Sequence, residues 1–252
     1  MPISVIIRTL NEEKNIEDCI KACLDNNPGE IIVVDGNSAD RTRELARQLG
    51  AKVIIAEKGL ATQRDAGVKI ASFLFIAMVD ADDRLKNDCL AVLLRELEQG
   101  GYDAINAQYR NFYDWPGNKH LEKKLSYWEK AMEVNLNLIC AKSGQTDMTG
   151  RPALFRTESI KKIPLDPIFK KASEDSDLSY RFHLSGFKQA TGSGITYRKH
   201  LSKFKDCLKK FFTAGTGEAL FVLRHPERKW ATIKHELYIY PVKRSWLAAK
   251  SG

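Results

Sequence analysis

Three acids crowd into four residues at the end of a strongly apolar run: FLFIAMVDADD, residues 73–83, carries Asp80, Asp82 and Asp83. Carboxylates packed this closely repel and raise one another's pKa unless a cation neutralises them. Hard oxygen donors of this kind suit Mg²⁺ or Mn²⁺, with phosphate oxygens completing the shell. A turn that merely caps a helix in RLKNDCLAVLLREL accounts for the same residues without chemistry. A further acid, Asp35, ends IIVV and opens DGNSAD, where ordinary Asp-Gly-Asn turn chemistry is the competing account. A last group, Glu174, Asp175 and Asp177, gathers at the expected start of a helix. Acids in a first turn favour the helix dipole, and Asp177 stands four residues before Arg181, so that pairing is its expected role.

The elements that would position these acids alternate along the first 110 residues. SVIIRT (4–9) reads as a strand, and the segment after it as a helix with Ile16, Cys19, Ile20, Cys23 and Leu24 at helical spacing. EIIVVD (30–35) is a strand leading to a helix in SADRTRELARQLG, with Ser38 or Asp40 as caps and Gly50 as the stop. AKVIIAE (51–57) is a third strand, 61–71 a helix and FLFIAMVD (73–80) a fourth strand. Runs apolar on both faces and joined by helices predict an α/β fold, a mostly parallel sheet covered on both sides. In such sheets ligands sit beyond the carboxyl ends of the strands, which is where Thr9, Asn11, Asp35 and Asp80 fall. No G-x-G-x-x-G follows the first strand and no G-x-x-x-x-G-K-[ST] occurs, which disfavours a dinucleotide dehydrogenase and a P-loop enzyme.

Composition sets the limits. The 252 residues are 43% hydrophobic with a net charge of +8. Residues 1–197 hold 27 Lys+Arg against 28 Asp+Glu, and residues 198–252 hold 13 against 4, so the basicity belongs to the tail. Such a patch suits nucleic acid, anionic lipid or a phosphorylated substrate, and equally a plain solvated surface. The five cysteines, at irregular spacings, read as buried thiols in a reducing, cytoplasmic setting. The chain shows no signal peptide pattern, and its longest apolar run is too short for a bilayer span.

The order TLNE (9–12), VVDGNSADRT (33–42), QRDAG (63–67), VDADD (79–83) and SEDSDLSYRFHLSGFK (173–188) resembles the family 2 glycosyltransferases of GT-A fold. The resemblance covers residues 3 to about 217. It implies that Asp35 holds the nucleotide base, that Thr9, Asn11 and Glu12 line the base and ribose pocket, and that Arg64 reaches toward the nucleotide. Asp65 departs from the Asn usual in the family at that position. Asp80 and Asp82 match the D-x-D motif: Asp82 as ligand of a divalent metal, Mn²⁺ or Mg²⁺, and Asp80 near the ribose or metal. Asp175 matches the general base of the E-D motif, with Glu174 beside it on the acceptor or donor-sugar side. Arg151, in GRPALF, is placed toward a donor or acceptor phosphate. His200 is read either as a metal-side ligand or as a solvated loop histidine.

The expected organisation is a glycosyltransferase domain over 1–200, with a nucleotide-sugar half (1–110) and an acceptor-side half (111–200), and a basic amphipathic helical tail over 201–252. Residues 111–149 read as an acceptor-side insertion whose aromatics serve packing. In the tail, Phe204, Leu208, Phe211 and Phe212 lie between lysines and lead to a helix end at GTG (215–217). Packing on the domain and peripheral contact with the cytoplasmic membrane face both fit this pattern. The expected activity is inverting transfer from a nucleotide-diphosphate sugar, a UDP-sugar first, to a hydroxyl or phosphate acceptor on a lipid-linked or cell-surface glycan. The alternatives are a sugar-phosphate nucleotidyltransferase, which would need a glycine-rich basic loop where TLNEE stands, and a nucleic-acid binder using the tail. Nucleic acid is not the expected partner.

Overall fold

A computed structural model of the chain describes residues 1–112, 115, 129, 144–146, 153–198 and 203–234. Their strands are β1 (Ile3–Thr9), β2 (Glu30–Asp35), β3 (Lys52–Ile55), β4 (Phe75–Asp80), β5 (Asp83–Leu85), β6 (Ala104–Asn111), β7 (Gly144–Thr146), β8 (Ala153–Arg156) and β9 (Gln189–Arg198). The helices are α1 (Ile16–Leu24), α2 (Thr42–Gln48), α3 (Leu60–Ile70), α4 (Cys89–Gly100), α5 (Thr157–Lys161), α6 (Glu174–Leu184), α7 (Phe204–Arg224) and α8 (Lys229–Lys234).

The strands form one sheet in the order β3-β2-β1-β4-β8-β6-β9-β5, with β7 alongside β9. The first four are all parallel, as continuous apolar runs joined by helices require. At β8 the sheet changes character, since β8 runs antiparallel to both β4 and β6. Alternate side chains serve the two faces. Ile3, Val5 and Ile7 pack with Cys19, Ile20 and Leu93 of α1 and α4, while Ile6, Ile32 and Val34 pack with Val68, Ile160 and Phe182 of α3, α5 and α6. Gly67 lets α3 lie close on β1, because a Cβ there would stand 2.5 Å from Ile6 Cγ2.

Three local expectations are corrected. The helix cap expected at Ser38 or Asp40 is absent: α2 begins after Arg41 without a side-chain cap. Asp40 instead accepts from the Thr42 amide at 3.0 Å, and Ser38 turns inward to Asp35. The turn after Asp80 leads into β5, so it caps no helix. The tail helix does not stop at GTG but runs through it to Arg224. Gly217 is a contact point there, since a Cβ would stand 2.6 Å from both Ala172 Cβ and Ser173 Oγ. Gly50, by contrast, ends α2 with φ +81°, as expected.

Cys19, Cys23, Cys89 and Cys207 are buried free thiols. Among the described residues no helix is long and apolar enough to cross a membrane. Most of the 111–149 insertion lies outside the described residues.

Candidate functional site

In the order β3-β2-β1-β4, β1 connects to a strand on its left and later receives one on its right, which opens a crevice beyond the carboxyl ends. Register places Thr9 opposite Asp35 on one side of β1 and Arg8 opposite Asp80 on the other. Asp35 and Asp80 are 45 positions apart in the sequence, and the pairing of β2 and β4 with the same strand puts both on one rim.

The β2 end is a hydrogen-bonded knot, a carboxylate held by uncharged hydrogen-bond donors. Asp35 is fully buried and accepts from Thr9 Oγ1 at 3.0 Å, the Ser38 amide at 2.8 Å and Ser38 Oγ at 2.6 Å. Ser38 Oγ also accepts from the Asn11 amide at 2.8 Å, and Asn11 Oδ1 accepts from the Ala39 amide at 2.9 Å. Asn11 stands at φ 55°, a left-handed conformation that Asn tolerates. Gln63, on α3, ties this end together by donating to the Thr9 carbonyl at 2.8 Å and the Val34 carbonyl at 2.9 Å. Glu12 sits at the edge of the knot. Burial pushes its carboxyl up, against the Asn15 amide that donates to it at 2.7 Å.

The β4 end is ionic. Asp80 Oδ1 takes Arg64 Nη2 at 2.5 Å and Arg8 Nη2 at 3.3 Å, while Oδ2 takes Arg198 Nη2 at 2.7 Å. Burial works against the Asp80 charge, but the three guanidiniums overcome it and hold the carboxyl well below the usual carboxylate range. Arg64 is itself buried and also binds Glu174 of α6 through Nη1, so one side chain links the D-x-D strand to the E-D helix. Asp83 is fully buried and grips Arg198 by a fork, Nε to Oδ1 at 2.7 Å and Nη2 to Oδ2 at 2.9 Å. Burial still pushes its carboxyl up to about 7, and Asp82 and Asp80 add to the rise. Asp82 is different: 47% of its side chain is exposed, with Arg198 Nη2 at 3.6 Å.

The E-D turn is held by backbone conformation and by α7. Ser173, just before α6, stands at φ 62°, strained for a residue with a β-carbon. Its hydroxyl donates to Glu218 of α7 at 3.0 Å, and its carbonyl accepts from the Asp177 amide at 3.0 Å. Glu174 is buried with its carboxyl pushed up to about 7 by burial, Arg64 opposing and Asp175 adding. Asp175 is half-buried. Burial raises its pKa as well, partly offset by Arg64. Asp177 pairs with Arg181 at 2.6 Å as expected, but it is buried and its other oxygen meets His225 Nε2 at 2.8 Å. It therefore pins the end of α7 to α6, a larger task than an exposed helix pair.

Thus Thr9, Asn11 and Asp35 come together in one group, and Arg64, Asp80, Asp82 and Glu174 in another, with Asp175 beside the second. Arg151 and His200 lie outside the described residues. Sequence reasoning missed Arg198, Arg8 and Gln63, and it gave Asp83 no role of its own within the acidic cluster. Arg198 stands within the TYRKH segment that drew attention for its histidine, and Arg8 is a charge inside a buried strand, a signal that could have been read.

The donor set bears on a metal. Among the described residues no three His, Cys, Asp or Glu side chains converge as a ready cage. Asp82 and Asp80 nevertheless offer hard oxygens at a strand end, one of them well exposed, and Mg²⁺ or Mn²⁺ sites use one or two carboxylates with phosphates supplying the rest. The residues fit such an ion.

Comparison with known proteins follows the same lines. The chain is 33% identical over 180 residues to a dolichol-phosphate mannosyltransferase of Pyrococcus furiosus, covering 67% of this chain and 50% of that protein. It is 32% identical over 202 residues to the uncharacterized glycosyltransferase EpsJ of Bacillus subtilis, covering 75% and 56%. The chain thus spans about half the length of these curated relatives. A crystal structure of glucosyl-3-phosphoglycerate synthase from Mycobacterium tuberculosis, in complex with Mn²⁺, UDP and glucosyl-3-phosphoglycerate, superposes with a TM-score of 0.62 at 21% identity, covering 88% of this chain and 79% of that one. The fold is therefore the GT-A fold. Residues 4–164 match the sequence model described as Glycosyl transferase family 2, and the chain belongs to that family.

Proposed function

We propose that the protein is an inverting, metal-dependent glycosyltransferase that moves a sugar from a nucleotide diphosphate, a UDP-sugar first, to an acceptor hydroxyl or phosphate. The observation that carries this reading is the Arg64 bridge, which joins Asp80 of the D-x-D strand to Glu174 of the E-D helix and so sets donor and acceptor elements on one rim. The complexes of glucosyl-3-phosphoglycerate synthase with UDP and Mn²⁺ and of TarS from S. aureus with UDP-GlcNAc support the choice of donor.

In this reading the Asp35 knot receives the base, with Thr9, Asn11 and Glu12 around base and ribose. Arg64 and Asp80 face the ribose and diphosphate. Asp82, with Asp80 and with His200 as a further candidate, would hold the divalent ion, and Arg151 would meet a phosphate. When bound, that ion stabilises the negative charge that grows on the leaving diphosphate. Asp175 takes the proton of the acceptor hydroxyl as its oxygen attacks the anomeric carbon from the face opposite the leaving group, so one displacement inverts the configuration. An acceptor without a titratable hydroxyl, such as a lipid phosphate, would attack already ionised.

The acceptor in this reading is polyprenyl-linked and met at the cytoplasmic membrane face, and the dolichol phosphate in the name of the Pyrococcus relative supports the first part. Contact with a membrane face is supported by α7: Phe204, Leu208, Phe211 and Phe212 are 46–76% exposed among lysines, although Cys207 and Phe221 of the same helix are buried. The tail both packs on the domain and presents an apolar basic stretch.

The test is Asp175→Asn. Turnover should fall by roughly two to four orders of magnitude while UDP affinity in Mn²⁺ barely moves, because a base acts at the transition state. Since burial raises the pKa of Asp175 and its ionised form is the active one, wild-type turnover should fall on the acid side at a higher pH than an ordinary aspartate would give. Full turnover in the variant would place the base elsewhere.

A further inference from the structure

Arg198 is the guanidinium that, among the described residues, reaches all three acids of the VDADD turn. It forks onto Asp83 at 2.7 and 2.9 Å, and its Nη2 is shared with Asp80 at 2.7 Å and Asp82 at 3.6 Å. Its far face lies over the Tyr109 ring, 4.7 Å from the centroid. Nε is engaged with Asp83, which is fully buried and leads into β5, whereas Nη2 completes the fork on Asp83 and is shared with the acids proposed to bind metal. Arg64 is occupied on its other side by Glu174, and Arg8 approaches Asp80 only at 3.3 Å, so neither covers Asp82.

Three neighbouring carboxylates need a counter-charge before any ligand arrives. We propose that Arg198 is that built-in counter-ion, and that it makes metal and donor diphosphate bind together. This rests on the glycosyltransferase reading above. A divalent cation alone would have to sit beside a guanidinium already held on the same carboxylates, and like charges at such range repel strongly at a partly buried site. A diphosphate alone would face the acids. The ion and the diphosphate together cancel, and Arg198, still anchored by Asp83 and Tyr109, adds its charge to the diphosphate side. The arrangement keeps the acids from collecting cations without substrate.

The experiment is Mn²⁺ titration of the donor-free protein, followed by electron paramagnetic resonance of the free ion, and UDP titration at saturating Mn²⁺, in wild type and Arg198→Gln. Expected is Mn²⁺ binding about tenfold tighter in the variant without nucleotide and UDP binding about tenfold weaker, the two moving in opposite directions. A merely structural arginine would weaken both, and that outcome, or no change in either, overturns the proposal. Because Arg198→Gln leaves Asp83 buried without its fork, Asp83→Asn is compared with Asp83→Asn/Arg198→Gln, which removes the pair as a unit. The same tightening of Mn²⁺ between those two is required. Wild-type protein that binds UDP only with Mn²⁺, while Arg198 changes nothing, defeats the counter-ion and leaves the glycosyltransferase reading standing. Wild-type protein that binds neither Mn²⁺ nor UDP defeats both.

Discussion

The ends of β2 and β4 flank the same strand and both finish on a buried aspartate, yet they are satisfied in opposite ways. Asp35 is held by hydroxyls and an amide, from Thr9 and Ser38, with the Arg43 Nε no nearer than 3.7 Å. Asp80 is held by three guanidiniums. A carboxylate among neutral donors can trade one of them for a neutral partner such as a base imide without disturbing the local charge. A carboxylate in a cationic cage sits where charged ligands, a phosphate or a metal, change the balance. In the proposed reading the two ends suit the two chemically different parts of one donor, its base and its diphosphate.

The contrast can be broken by the same substitution made at each end. Asp80→Asn removes the charge shared by Arg64, Arg8 and Arg198, and stability should fall by about 3–5 kcal/mol, as when one member of a buried ion cluster is lost. Denaturant unfolding checks this, and a drop no larger than that of Asp35→Asn would erase the distinction between the ends. Asp35→Asn should act on the ligand: UDP affinity should weaken by about 1–3 kcal/mol, the cost of mispairing a desolvated polar contact. Calorimetry with UDP against pyrophosphate sharpens the point, because pyrophosphate binding should be indifferent to Asp35. Equal UDP affinity in variant and wild type would reduce Asp35 to a turn former.

The smallest effect concerns charge that faces outward. Lys203, Lys205 and Lys209 of the tail are exposed, unlike the guanidiniums round Asp80, and each changed singly to Ser should weaken attachment to anionic liposomes by about 1 kcal/mol. Flotation that stays unchanged would mean that the lysines and the exposed phenylalanines of α7 serve another surface. Asp177 is not an inert comparison for Asp175, because its contact with His225 makes it part of the joint between α6 and α7.

What the sequence determined by itself was everything that follows from local period and punctuation. EIIVVD is a strand over the predicted residues, SVIIRT and FLFIAMVD differ from theirs by one or two, and Gly50 stops its helix. The parallel half, and the fact that Asp35 and Asp80 end strands, were legible because apolar runs broken by acids leave few alternatives. Tertiary structure alone decided the rest. That β8 enters antiparallel beside β4, and that β9 delivers Arg198 to the VDADD turn across 115 positions from Asp83, depends on long-range pairing that no window of sequence contains. The same holds for Ser38, whose type suits a helix cap but whose hydroxyl is claimed by Asp35, and for GTG, whose glycines look like a stop but of which Gly217 lets α7 pass close to Ala172 and Ser173. Local propensities are worth tenths of a kcal/mol to about one, while a buried charge left unpaired costs several, so where the two compete the packing of the whole chain prevails.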